Sequence, residues 1–247
     1  MQLISDLLNS LEEDAPIDQI LVGAHWTAVN SLGCGMASTV MSNKPHGEGL
    51  VKNAGNLHQM SAKELATYAQ SDNALEASIG LACINSLIRI PNKNLLAANA
   101  FDVVAEKGIG KNIAIFGHFP QIERLCVSSQ SVSVFELSPS EGEFSLEKIP
   151  EILPKAQVVA ITSNSIINHT LDLILPYLKQ NTFTIMVGPS TPLSPVLFEY
   201  GISMLAGVRV LDPELLFQSI SQGAIFRQVQ GVELVTISKQ SFNKNYT

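Results

Sequence analysis

Polar side chains collect at the ends of apolar segments in the second half of this 247-residue chain. Gly117-His118-Phe119-Pro120 follows the apolar run from Lys111 to Phe116. Glu136 ends the run that starts at Val132. Thr162-Ser163-Asn164-Ser165 follows Gln157 to Ile161, and Gly188-Pro189-Ser190-Thr191-Pro192 follows Phe183 to Val187. His118 stands in a turn, not on an apolar helix face, so its imidazole could act as acid, base or metal ligand. The Thr162 to Ser165 run suits a carboxylate or other anion at a helix start, or plain capping. Ser190 and Thr191 lie among Pro189, Pro192 and Pro195. Proline rings fix φ and leave a loop few conformations to lose. Such a loop is either a prebuilt rim for a small ligand or a turn that needs prolines.

Glu136 comes nineteen residues after Gly117. At that place in a nucleotide-binding sheet a carboxylate accepts hydrogen bonds from ribose hydroxyls; otherwise it is a solvated strand end. The glycine-rich phosphate fingerprint is missing. One glycine stands where three are needed, and Phe119 and Pro120 would obstruct a pyrophosphate. A nucleoside or pterin-like ring needs the carboxylate but not the phosphate cradle. In the first half, Glu76 is a second proton-transfer candidate, one turn beyond Asp72 and Asn73 at a helix start. Trp26 and Thr27 share a strand with His25, where core packing is the default for the indole.

The five histidines, at 25, 46, 58, 118 and 169, include no pair at helical metal-site spacing. Cys34, Cys83 and Cys126 are scattered in apolar sequence without a C-x-x-C, which predicts three small buried hydrophobes. No metal cage of adjacent ligands is readable, and no cofactor is named by the residues. Net charge is -7, with no basic stripe to hold nucleic acid. No apolar run is long enough to span a bilayer. The amino terminus reads as an acidic amphipathic helix, unlike a signal peptide. A soluble cytoplasmic protein is expected.

The elements that must position these residues fall into two styles. Residues 3–12 predict a helix. Gln19 to Gly23, His25 to Asn30 and Leu32 to Ala37 predict an antiparallel meander. Residues 43–56 form a loop, and Ser61 with Glu64 makes a capping box. A longer apolar helix, capped by Asp72 or Asn73, stops before Pro91. After a linker the rhythm becomes strand and helix in alternation: strands at 111–116, 132–136, 157–161, 183–187 and 202–205, helices near 166–179 and 213–222, and a last edge strand at 232–238. That alternation means a parallel sheet covered on both faces. The expectation is α/β, with a small α+β domain over 1–98 and a parallel-sheet domain over 99–247.

Four segments together resemble one family: Gly23-x-His25-Trp26-Thr27-Ala28, Asp72-Asn73-x-x-Glu76-Ala77-Ser78-Ile79-Gly80, Gly117-His118-Phe119-Pro120, and Gly188-Pro189-Ser190-Thr191-Pro192-Leu193-Ser194-Pro195. They are similar to the proteins called "putative heavy-metal chelation", a paired domain of unknown function. The resemblance implies an enolase-amino-terminal-like domain followed by a Rossmann-like domain with partial likeness to methyltransferases. It also implies a cleft between them for a pterin, flavin or siderophore-like molecule. One departure stands out: Thr-Ser-Asn-Ser at 162–165, where a Thr-Gly-Thr-like turn is expected. Three functions follow as expectations. The first is an enzyme that condenses or hydrolyses a small heterocycle or chelator, with His118 and Glu76 moving protons. The second is a non-catalytic binder of a metal–chelator complex. The third is methyl transfer, which the absent glycine-rich turn opposes. The resemblance and the apolar strands near the chain ends also point to a homodimer.

Overall fold

The computed structural model describes residues 2–41, 50–96, 98–119 and 122–243. His46 and Pro120 lie outside them. The amino-terminal unit starts with α1 (Gln2–Asn9), which buries Leu3, Ile4 and Leu7 on one face. Then β1 (Gln19–Val22), β2 (Trp26–Asn30) and β3 (Cys34–Ser38) form the expected antiparallel meander, in that order. Ser61 accepts from the Glu64 amide and the Glu64 side chain accepts from the Ser61 amide, which starts α2 (Ala62–Ala66). Asn73 caps α3 (Ala74–Leu87) by accepting from the Leu75 amide.

α3 is the hub of this unit. Every residue from Ala77 to Ile84 is buried, which a helix with apolar residues all round requires. Small residues let neighbours come close. A Cβ on Gly35 would lie 2.3 Å from the Ala82 carbonyl oxygen, and one on Gly80 would lie 2.0 Å from the Ala69 nitrogen.

The rest of the chain alternates: α4 (Ala100–Gly108), β4 (Asn112–Phe116), α5 (Ile122–Ser128), β5 (Ser131–Glu136), a two-residue β6 (Phe144–Ser145), α6 (Ile149–Ile152), β7 (Val158–Thr162), α7 (Asn164–Ile167), α8 (Leu171–Ile174), β8 (Phe183–Val187), α9 (Val196–Glu199), β9 (Met204–Val210), α10 (Pro213–Ser221), β10 (Val232–Ser238) and α11 (Lys239–Asn243). The sheet runs β10-β9-β8-β7-β4-β5-β6. All its pairs are parallel except β10 on β9, which is antiparallel. Counted along the chain from β4, the six parallel strands stand in the order 3-2-1-4-5-6. That is the doubly wound order, and its direction of growth reverses between β4 and β7.

Three details depart from the sequence expectation. The helix over 166–179 is broken into α7, α8 and a short 3-10 turn at Leu175–Tyr177. His169 sits between the two pieces with φ 59, a left-handed conformation that ends a helix. β9 continues to Val210 rather than stopping at Leu205, because its later residues pair with β10 from Gly207↔Val235 to Val210↔Val232. β6 and α11 are too short to leave a periodic signal.

One buried apolar cluster runs through both units, taking in Leu7, Leu65 and Ile84 from the first and Phe116, Ile161 and Leu205 from the second. A smaller one joins Ala28 and Met36 to Leu216, Phe217 and Ile220 of α10.

Candidate functional site

In a doubly wound sheet, ligands bind beyond the carboxyl ends of the strands where the order reverses. Here that crevice lies between the turn after β4 and the turn after β7. The first turn holds Gly117, His118 and Phe119. Gly117 has φ 103 and abuts Thr162 of β7, so closely that a Cβ would lie 2.9 Å from the Thr162 Cβ. The second turn holds Thr162, Ser163 and Asn164.

His118 is open to solvent, and its Nδ1 lies 3.4 Å from Glu143 Oε1. Glu143 is itself mostly covered, with its side chain 15% exposed. Its other carboxylate oxygen accepts from the Ser140 amide at 2.8 Å. The carboxylate is thus held by its own turn and presented to the imidazole. Sequence reading missed Glu143. It lies beyond β5 and twenty-five residues from His118, and such a distance leaves no local pattern. Phe119 packs its ring on Phe101 with centroids 4.9 Å apart. Glu136 ends β5, half-buried, opposite Ser145 of β6.

After β7, Ser163 and Ser165 are buried while Thr162 and Asn164 are half-exposed. The Ser165 hydroxyl donates to the Thr162 carbonyl. The Ser163 hydroxyl is buried and has no partner. It faces Gly188, where φ is 139 and a Cβ would lie 2.4 Å from the Ser163 oxygen. The serine that replaces the expected small Gly-Thr turn is accommodated because residue 188 is glycine.

The Gly188 to Pro192 loop forms the joint between the two units. Ser190 is fully buried. Its hydroxyl accepts from the Ser38 amide at 2.8 Å and donates toward Asn164 Oδ1 at 3.4 Å. Asn85 Nδ2, from α3, donates to the carbonyls of Met36 and Ser190. Thr191 is buried and donates to the Ala206 carbonyl; Pro192 is buried as well. The prolines therefore stiffen a wall. Within Gly188 to Pro192 it is Gly188 and Pro189 that are half-exposed, as is Asn164 across the joint.

Beyond the joint, toward β9, is a cavity of about 140 Å³ lined by Cys34, Met36, Asn85, Pro189, Thr191 and Arg209, among others. Ligand pockets for drug-sized molecules run to about 300–1,000 Å³, so this space takes a single ring at most.

The remaining candidates stand elsewhere. Glu76 has both carboxylate oxygens engaged, one by the Lys52 amide at 2.6 Å and one by the Ser71 hydroxyl at 2.5 Å. Asn73 also donates to the Leu50 carbonyl. Together they pin residues 50–52 to the start of α3. Asp72 is exposed. Thr27 is fully buried and pairs with the Thr39 hydroxyl. Trp26 donates from Nε1 to the Ala224 carbonyl at 3.0 Å and packs edge-on to Phe226, on the face of the small sheet that meets α10. His118, Glu76 and Ser190 share no hydrogen-bonding partner among the described residues.

The thiols divide. Burial pushes Cys34 and Cys83 up to about 12. Cys126 is exposed and Cys34 half-buried, which corrects the expectation of three buried cysteines. It lies on α5, a seven-residue helix that buries only Leu125. Among the described residues no three His, Cys, Asp or Glu side chains are placed to share a metal ion.

A sheet of this order, flanked by a small antiparallel unit, defines a two-domain α/β protein. The profile of the DUF364 family, described as "Putative heavy-metal chelation", matches residues 99–239. A second profile, DUF4213, with the same description, matches residues 4–88. The chain belongs to this paired family. It is similar to a DUF364 protein of unknown function from Desulfitobacterium hafniense, with 29% identity, a TM-score of 0.84, and coverage of 96% of this chain and 98% of that one. A DUF364 protein from Pyrococcus horikoshii shares the fold at 22% identity and a TM-score of 0.79, over 96% of this chain and 98% of the other. The uncharacterized protein MJ0500 of Methanocaldococcus jannaschii is 29% identical over 157 residues. That match spans 61% of each chain.

Proposed function

We propose that this protein binds a compact, hydrogen-bonding organic molecule of the pterin, flavin or siderophore-like chelator class over the switch point of its sheet. The observation that carries this reading is the convergence there of accessible polar groups from separate strand ends: His118, Glu136, Thr162 and Asn164. Ser38 of the amino-terminal unit is joined to the same place through Ser190. The donor set favours an organic guest over a bare ion, because the described residues supply no three-ligand group. Such a guest brings its own donor atoms to a metal, which accords with the family description.

Of the two proton-transfer candidates, Glu76 has both oxygens engaged, by the Lys52 amide and the Ser71 hydroxyl, whereas Nε2 of His118 has no partner among the described residues. A condensing or hydrolysing activity would rest on His118, while a pure binder would not need it. Thermal melts with a reduced pterin, riboflavin, a catecholate and a hydroxamate test the reading. One class should raise the Tm. Ligand at a hundred times its Kd adds about 2.7 kcal/mol, which is roughly 5–10 °C for a chain of this length. The shift should shrink in Asn164→Ala. No shift with any class, or an unchanged shift in the variant, would remove the proposal.

A further inference from the structure

The outer edge of β3 faces the cavity beside β9, and part of its backbone there is unclaimed. In an antiparallel pair, alternate residues turn both N–H and C=O toward the neighbouring strand, and the residues between them turn theirs away. Along β3 the odd positions serve β2. The Thr39 amide donates to the His25 carbonyl, and the Ser31 amide donates to the Gly33 carbonyl. Val29 stands opposite Gly35 and Thr27 opposite Ala37. Cys34, Met36 and Ser38 therefore point outward. Two of their outward groups are taken: the Ser38 amide donates to the Ser190 hydroxyl, and the Met36 carbonyl accepts from Asn85 Nδ2. The amide and carbonyl of Cys34 and the amide of Met36 have no hydrogen-bond partner among the described residues. A buried strand edge left open in this way calls for a partner.

Cys34 and Met36 both line the cavity of about 140 Å³. Ile88, Ile90, Leu193, Val208 and Val210 give it apolar walls. A wholly apolar cavity of about 150 Å³ takes benzene, so one six-membered ring fits the space. Arg209 is the charged residue of the lining, and Glu233 already pairs with it. Burial pushes the Cys34 thiol up to about 12, so it stays neutral. Nothing in the lining offers a free charge to an ion.

We propose that this cavity binds a small neutral cyclic amide of one ring, a lactam or imide, which pairs with the edge of β3 as a neighbouring strand would. The ring N–H donates to the Cys34 carbonyl, and the ring C=O accepts from the Cys34 amide. The Met36 amide is left for the second carbonyl of an imide. The apolar walls hold the faces of the ring. The site is separate from the switch-point crevice and too small for the fused rings considered there, so the two readings stand or fall apart.

2-Pyridone, with N–H and C=O side by side on one ring, is a suitable probe. Cys34 borders the cavity, so the rate at which a chromogenic disulfide reagent labels it reports occupancy. At ten times its Kd, 2-pyridone should slow that labelling about tenfold and leave exposed Cys126 unaffected. N-methyl-2-pyridone lacks the donor and should bind about tenfold more weakly. Benzene, of like size without polar atoms, should protect least. In amide-resolved nuclear magnetic resonance spectra of the full chain, 2-pyridone should move the Cys34 and Met36 signals most. Ile90→Phe, which fills the space from a half-exposed wall, should remove the protection, with circular dichroism as the check on folding. Protection that persists in a folded Ile90→Phe would overturn the placement. Equal protection by benzene or N-methyl-2-pyridone would overturn the hydrogen-bonded class. No protection by 2-pyridone in the wild type would overturn the site and leave the cavity to water. The melts with pterin, flavin and chelator probes decide the switch-point reading whatever the outcome here.

Discussion

Both oxygens of Glu76 accept from the chain, while Glu143 keeps an oxygen facing an imidazole. The two carboxylates are chemically identical, and their surroundings divide the work between them. From sequence, Glu76 looked reactive because it followed a helix cap, but a position near a cap is also where a carboxylate meets unpaired amides. His118 was legible because a histidine in a βα turn is exposed and near strand ends. Its partner was not, since two segments separated by β5 meet only after the sheet forms. The same scale governs the cysteines. Thiolate is the reactive form, and burial suppresses it at Cys34 and Cys83. At pH 8 a chromogenic disulfide reagent should titrate Cys126 fastest in the native protein, half-buried Cys34 more slowly, and buried Cys83 only on unfolding. Cys126→Ser should remove the fast phase; two or three fast thiols would contradict the burial described here.

At the scale of elements, α3 shows how composition and position must be read together. A cap at Asp72 or Asn73 and a stop before Pro91 were legible in the sequence, and the structure puts the cap at Asn73 and the end at Leu87; the alternation that makes the second sheet was legible too. What sequence could not show was how closely α3 is hemmed in. Glycine inside a helix is ordinarily worth replacing by alanine, a gain of about 1 kcal/mol. At Gly80 the sign should reverse. A methyl group would meet the backbone at Ala69, 2.0 Å away, and backbone cannot swing aside as a side chain can. Gly80→Ala is expected to cost about 2 kcal/mol or more, read as a lower midpoint in urea with an unchanged slope. The proline loop teaches the converse. Three prolines around two hydroxyls fitted a ligand rim and a plain turn equally well, and Ser190 and Thr191 hydrogen-bond to protein and are buried. Stiffness served a joint between units, a use that sequence alone cannot separate from binding.

For the whole molecule, the continuous core and the lacing between units argue for one cooperative body. Trp26 to Ala224, His169 to Ser71 and Tyr200 to Asp6 each join residues far apart in the chain. Large apolar contacts between units suppress independent motion. Emission from the single tryptophan and far-ultraviolet circular dichroism should therefore trace one coincident thermal transition; separate midpoints would show that the units melt independently. The Tyr200–Asp6 clasp adds a pH signature. The hydrogen bond to Asp6 raises the Tyr200 phenol from 10.0 to about 12. Between those values the folded chain holds more protons than the unfolded one, so this contribution is complete below pH 10 and fades as pH climbs through about 12. Asp6 is held below its usual 3.8 by the Tyr200 hydroxyl and then by Gln2, so its share is present above that pH and fades in acid. Tyr200→Phe should flatten the alkaline decline in Tm; an identical decline would place its origin elsewhere.

The bond from Trp26 to Ala224 spans 198 residues, and this has a bearing on how the chain is made. Ribosomes add about 5–20 residues each second. The indole and the apolar face around it are thus translated some 10–40 s before the segment that shields them. During that interval a nascent amino-terminal half offers an oily surface to whatever is nearby, which makes it a natural client for holding chaperones.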